Sequence, residues 1–169
     1  RGLVVSAPSS APGLVVAAPS SGAGKTTVTI GLMRALRRRG RAVQPFKAGP
    51  DYIDPAFHAA ATGRPSLNLD TWAMAPGTIA ALAAGAGGDI AIAEGVMGLF
   101  DGVGATGRSG QGTTADLAAL LGWPVVIVLD VAAQAETAAA VALGLARYRD
   151  DIAVGGVILN RVAGEGHLR

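Results

Sequence analysis

The residues best suited to chemistry form one run, Ser20-Ser21-Gly22-Ala23-Gly24-Lys25-Thr26-Thr27. Glycines let backbone N–H groups wrap phosphate oxygens, and a helix starting directly after them adds positive potential. In such a loop Lys25 reaches the β- and γ-phosphates of a nucleotide, and the Thr26 hydroxyl holds Mg2+. One feature of the usual pattern is missing: the first glycine, five residues before Gly24, is Pro19.

Lysine usage adds a second argument. The chain carries 14 Lys and Arg residues, yet Lys25 and Lys47 are its only lysines. A compact ammonium is not replaceable by a planar guanidinium where a single phosphate oxygen must be met. Lys47 therefore joins Lys25 as a candidate contact to phosphate or to an intermediate. It opens the run Lys47-Ala-Gly-Pro-Asp51-Tyr52-Ile53-Asp54-Pro55, which leaves the end of a strand, where open parallel sheets bind ligands. Asp51 and Asp54 suit Mg2+, which takes a few carboxylates together with waters and phosphate oxygens; turn formation is the alternative reading. Two further strands end in an acid, Glu94 and Asp130, and either could be the second Mg2+ ligand. Glu94 is favoured because a glycine-rich loop follows it, whereas Asp130 precedes a helix and can cap it. Gly112-Thr113-Thr114 reads as a helix cap, and Asn160 as either an adenine contact or a turn residue. His58 and His167 lack metal-ligand spacing, and His58 is expected to pack within a short helix.

Elements must position these groups. The pattern predicts strands over 13–18, 42–47, 89–94, 125–129 and 154–159, and helices over 26–39, 78–84, 114–121 and 134–148. Residues 48–75 read as irregular, with a brief helix after Pro55, and 95–112 as a glycine-rich loop. Near-continuous apolar strands alternating with helices predict an α/β domain, a mostly parallel sheet with helices on both faces. Residues 2–10 repeat as 13–21; only the second copy leads into the phosphate loop, so 1–12 is expected to be a frayed extension.

Composition narrows the function classes. Of 169 residues, 50% are hydrophobic, 15% charged and 25 are Gly, with no Cys, which excludes a disordered tail and a disulfide-stapled secreted module. Net charge is only +2. Arg34, Arg37, Arg38, Arg39 and Arg41 read as the solvated end of a helix, and no aromatic residues interleave with them, so no nucleic-acid partner is expected. No apolar stretch approaches the roughly 18–20 residues needed to span a bilayer. A cytoplasmic location without a membrane partner is expected. Without an initiator Met, the chain reads as a piece of a longer protein.

Taken together, Ala18 to Thr27, Pro45 to Pro55, Asn68-Leu-Asp70, Glu94-Gly-Val-Met-Gly-Leu-Phe-Asp-Gly102, Thr114-Ala-Asp116 and Gly156 to Arg161 resemble the cobyrinic (or hydrogenobyrinic) acid a,c-diamide synthases. That resemblance implies a phosphate-loop synthetase fold similar to dethiobiotin synthetase, spanning 13–169 and truncated here. It also implies a C-terminal glutaminase domain that has no counterpart in this sequence. The implied reaction is ATP-dependent amidation of corrin side-chain carboxylates through an acyl phosphate, with ATP and Mg2+ as cofactors and glutamine as the ammonia source. Ser21, Gly22, Ala23, Gly24, Lys25, Thr26 and Thr27 would bind the phosphates, with Thr26, Asp51 and Glu94 on the metal. Lys47 would stabilise the transferred phosphoryl group, Tyr52 and Asp54 would lie near the substrate carboxylate, and Asn160 with Arg161 would meet the nucleotide. A homodimer is compatible with this reading. The rival expectations are a partitioning or positioning switch ATPase on a similar fold, which usually carries a further lysine where this chain has Ser20, and a nucleotide-binding fragment without activity.

Overall fold

The computed structural model describes residues 11–164, so the repeat over 2–10 and His167 lie outside the described residues. Along the chain run β1 (Gly13–Ala17), α1 (Lys25–Arg38), β2 (Val43–Ala48), α2 (Asp54–Thr62), β3 (Leu67–Leu69), α3 (Pro76–Gly85), β4 (Ile90–Glu94), α4 (Thr114–Leu121), β5 (Val125–Asp130), α5 (Glu136–Arg147) and β6 (Val154–Asn160). Among the described residues the six strands form one sheet in the order β3-β2-β4-β1-β5-β6. Every pairing is parallel.

Side-chain alternation divides the core in two. Val15, Phe46, Ala93, Leu117 and Ile127 belong to the larger apolar cluster, into which α3, α4 and α5 pack. Their strand neighbours Val16, Val43, Ile92 and Val128 join Met33 of α1 and Ala61 of α2 in a second cluster. Both faces are covered, as the near-continuous apolar strands require. With few aromatic residues, most of this packing is aliphatic; Phe46 and Trp123 make one ring contact, with centroids 5.9 Å apart.

One expectation needs correction. Residues 48–75 are not irregular apart from a helix: β3 extends the sheet beyond β2, pairing Phe46 with Leu67, Lys47 with Asn68 and Ala48 with Leu69. Three residues are too few for any period to register. The other expected elements differ from those observed by one or two residues at their ends. The basic run lies exposed at the end of α1 as expected, and it has a use. Arg37 donates to the carbonyls of Ala60 and Ala61 at 3.5 and 3.4 Å, where the last turn of α2 leaves acceptors unsatisfied.

Candidate functional site

The sheet order brings four chain-distant residues into one row. Register pairs Asn68 with Lys47, Lys47 with Glu94, and Glu94 with Val16. This row lies at the carboxyl ends of the strands, beside the segment that joins β1 to α1. Gly22 and Gly24 there take positive φ values of 84° and 89°, conformations that side chains resist. A Cβ on Gly24 would also come within 2.2 Å of the Asn160 amide. The first turn of α1 carries no acidic residue, so its positive end is left for an anion.

Two ammonium groups converge on the end of β4. Lys25 Nζ donates to the Gly95 carbonyl at 2.7 Å and to Glu94 Oε1 at 3.2 Å. Lys47 Nζ donates to Asp54 at 2.6 Å and to the same Gly95 carbonyl at 3.2 Å, with Glu94 at 3.4 Å and Asp51 at 3.6 Å. Thr26 Oγ1 donates to Glu94 Oε1 at 2.5 Å. A cleft of about 350 Å³ opens beside these groups, lined by Ser20, Ser21, Gly22, Gly24, Lys25, Thr26 and Thr27 on one side and by Lys47, Asp51, Asp54, Val96 and Met97 on the other.

Electrostatics separate the members of this cluster. Burial works against the Glu94 carboxylate, yet the bonds and charges of His58, Lys47, Thr26 and Lys25 outweigh it and hold its pKa at about 2. Burial, only partly offset by Glu94, pushes the Lys25 ammonium below its ordinary value, and the repulsion of Lys47 adds to the effect. Lys47 moves the other way: burial disfavours its charge, but Asp54, Glu94 and Asp51 together raise its pKa. Asp51 is held low despite its burial because it accepts from the Ile53 and Asp54 N–H groups and faces Lys47. Both readings of Asp51 thus have a physical basis, a turn in its backbone bonds and a charged oxygen toward the cleft.

The remaining predicted residues are distributed around this centre. Asn160 donates to the Ala23 carbonyl at 2.9 Å and Arg161 to that of Gly22 at 3.1 Å, so both brace the glycine loop from outside the cleft. Arg161 also pairs with Asp130, which engages the acid that competed with Glu94. Arg161 and Met97 are the non-glycine residues with positive φ among those described, and each borders this loop. Tyr52 is 88% exposed and stands apart from the polar network. Thr113 and Asp116 close a capping box at the start of α4, as the cap reading expects. The Thr114 hydroxyl instead bonds both the N–H and the carbonyl of Val96, pinning the loop that follows Glu94.

Sequence reasoning missed His58. Its ring is fully buried, and Nε2 lies 2.6 Å from Glu94 Oε2. The available signal was its spacing four residues after Asp54, which sets both on one face of α2.

Comparison with known proteins follows the same lines. The family model described as CbiA, the CobQ/CobB/MinD/ParA nucleotide binding domain, matches residues 14–169. The chain belongs to this family. Relatives named hydrogenobyrinate a,c-diamide synthase include one from Rhodobacter capsulatus, 61% identical over 99% of this chain and 36% of its own length. Those from Rhizobium meliloti and Brucella suis are 57% and 53% identical over 98% and 99% of the chain. The chain thus spans about a third of the length of these curated relatives. Among solved structures, chloroplast FtsY from Physcomitrella patens superposes with a TM-score of 0.51 at 17% identity, over 92% of this chain and 52% of that one. That likeness concerns the fold alone.

The donors present also fit the implied metal. Thr26 Oγ1 and Glu94 Oε1 are hard oxygens in mutual contact beside the glycine loop, the type of set that Mg2+ uses together with phosphate oxygens and waters.

Proposed function

We propose that this chain is the ATP-binding synthetase part of an enzyme that amidates the a and c side-chain carboxylates of hydrogenobyrinate. The observation that carries the reading is the convergence of Lys25, Thr26, Lys47 and Glu94 at the mouth of the glycine loop. A carboxylate resists ammonia because its carbon carries a poor leaving group. Transfer of the γ-phosphoryl group to a carboxylate oxygen, with loss of ADP, makes that oxygen a good leaving group. Ammonia then attacks the acyl carbon, phosphate departs, and the surplus proton passes to solvent.

Each residue has a task in that scheme. Gly22 to Thr27 cradle the phosphates. Lys25 exchanges Glu94 and the Gly95 carbonyl for β/γ-phosphate oxygens. Lys47, kept charged by its carboxylate neighbours, faces the phosphoryl group as it moves, where fixed charge is most effective. Thr26, Glu94 and Asp51 would hold Mg2+, which supplies neutralisation of phosphate charge. Asn160, whose amino group is committed to Ala23, would meet adenine through Oδ1, an acceptor suited to the 6-amino group.

The substrate side is the face of the loop from Asp51 into α2. Tyr52, Ile53 and Phe57 are exposed along that segment, and Met97 is exposed on the wall of the cleft; exposed apolar side chains beside a polar cleft suit a large macrocycle. Tyr52 and Asp54 would flank the carboxylate being activated. The glutaminase part would lie in the portion of the relatives that this chain does not span, and residues 13–169 would form the synthetase domain.

Calorimetry of the chain with Mg·ATP, followed by mass spectrometry of glutamine-dependent products from the full-length enzyme, tests this reading. Two successive losses of one mass unit from hydrogenobyrinate, each a hydroxyl exchanged for an amine, are expected. ATP turnover without any corrin product, from either the cobalt-free or the cobalt-loaded acid, overturns it.

A further inference from the structure

The two oxygens of the Glu94 carboxylate have different duties. Oε1 meets Thr26 Oγ1 at 2.5 Å, Lys25 Nζ at 3.2 Å and Lys47 Nζ at 3.4 Å. Oε2 meets His58 Nε2 at 2.6 Å, behind the cleft, where both side chains are 0% exposed. The far nitrogen of the imidazole, Nδ1, lies 3.3 Å from Ser66 Oγ. A hydroxyl donating to Nδ1 leaves the ring proton on Nε2, aimed at the carboxylate.

The terminal torsion of a glutamate is broad and two-fold, so its own rotamer does not fix which oxygen faces the nucleotide. A donor behind the carboxylate can. We propose that His58 is a positioning residue: by gripping Oε2 it sets the plane of the Glu94 carboxylate and presents Oε1 to the phosphate loop and its metal. This rests on the nucleotide-binding part of the function proposed above.

The placement of His58 makes the grip stiff. Asp54, one turn earlier on α2, holds Lys47, so a single helix carries the partners of both charged residues in the row across β2 and β4. Arg37 reaches the carbonyls at the other end of that helix. A buried ring that served only as packing would need no donor directed at a charged oxygen. Loss of the N–H leaves Oε2 buried without its donor and lets the carboxylate turn toward the two ammonium groups.

The test uses the full-length protein and ADP affinity measured by calorimetry across a Mg2+ series. In the unmodified protein Mg2+ is expected to tighten ADP binding. His58→Ala is expected to raise the Mg2+ midpoint of that tightening roughly tenfold, the usual scale for losing a residue that orients a metal ligand. ADP affinity without Mg2+ stays within about twofold. His58→Gln, which can return an N–H near the position of Nε2, restores most of the midpoint. An unchanged midpoint in His58→Ala, or a His58→Gln no better than His58→Ala, overturns the proposal while leaving nucleotide binding intact. No ADP binding by the unmodified protein at any Mg2+ concentration overturns the functional reading itself, and the proposal with it. If His58→Ala does not fold, the imidazole N–H resonance of the unmodified ADP complex decides: a shift on adding Mg2+ supports the proposal, and its absence overturns it.

Discussion

Lys25 and Lys47 share a carbonyl and a carboxylate, yet their surroundings differ in kind. Lys25 opens a helix and has Glu94 as its one ion-pair partner among the described residues, with burial lowering its pKa. Lys47 sits inside the sheet among Asp51, Asp54 and Glu94, which raise its pKa. The first ammonium is desolvated and undercompensated, and so suited to the exchange of partners for phosphate that the proposed function assigns to it. The second is fixed in place before any ligand arrives. On the function proposed above, the cleft would accept a polyanion and then handle a moving phosphoryl group, which calls for both, one cation that yields and one that does not.

The sharpest way to break this contrast is Lys47→Ala. Removing the cation strands three acids around a buried position, a situation that costs about 3–5 kcal/mol when one partner of a buried pair is lost. Denaturant unfolding should show that loss, and Lys47→Arg should not recover it, because the guanidinium exceeds the space of an ammonium. Equal stability of Lys47→Ala and Lys25→Ala would remove the distinction.

Acid titration examines the carboxylate that both lysines share. The folded pKa of Glu94 is about 2, below its ordinary value of 4.5. Its contribution is therefore complete above pH 4.5 and lost as pH falls toward 2, amounting to about 3 kcal/mol at neutral pH. Glu94→Gln should flatten the acid limb of a stability profile in that window. An unchanged limb would mean that the two ammonium groups draw no stabilisation from Glu94.

For the yielding cation, Lys25→Ala should weaken Mg·ATP binding roughly 100-fold, consistent with loss of charge-assisted hydrogen bonds, with a far smaller change in unfolding free energy than Lys47→Ala. Calorimetry and unfolding on the same sample give both numbers. Tyr52→Ala closes the series. This side chain is 88% exposed, so stability should stay within about 0.5 kcal/mol, while, on the function proposed above, the affinity of the full-length protein for hydrogenobyrinate should fall.

What the sequence disclosed follows the range of the interactions. The glycine loop was legible because its residues act through local backbone geometry, and Lys47 because it breaks a general preference for arginine. Strand alternation gave the sheet away, since a buried parallel strand is apolar throughout. β3 was hidden by its length: three residues carry no period, and only its pairing with β2 makes it a strand. His58 was hidden by distance. Its partner lies 36 residues on; the spacing from Asp54 marks a shared helix face but not the residue that the ring will touch. Asp130 looked like a rival to Glu94 until Arg161, 31 residues later, proved to be its companion.

The bonds from β6 to the glycine loop have a further consequence, in the order of events. Asn160 and Arg161 reach back across 137 and 139 residues to Ala23 and Gly22. Contacts of such span close late in folding, after the loop entropy has been spent. Until β6 docks, the turn between β1 and α1 has its glycines but not its brace. Nucleotide held there would report that β6 has docked and, by mass action, would favour the sheet with β6 in place over the one without it.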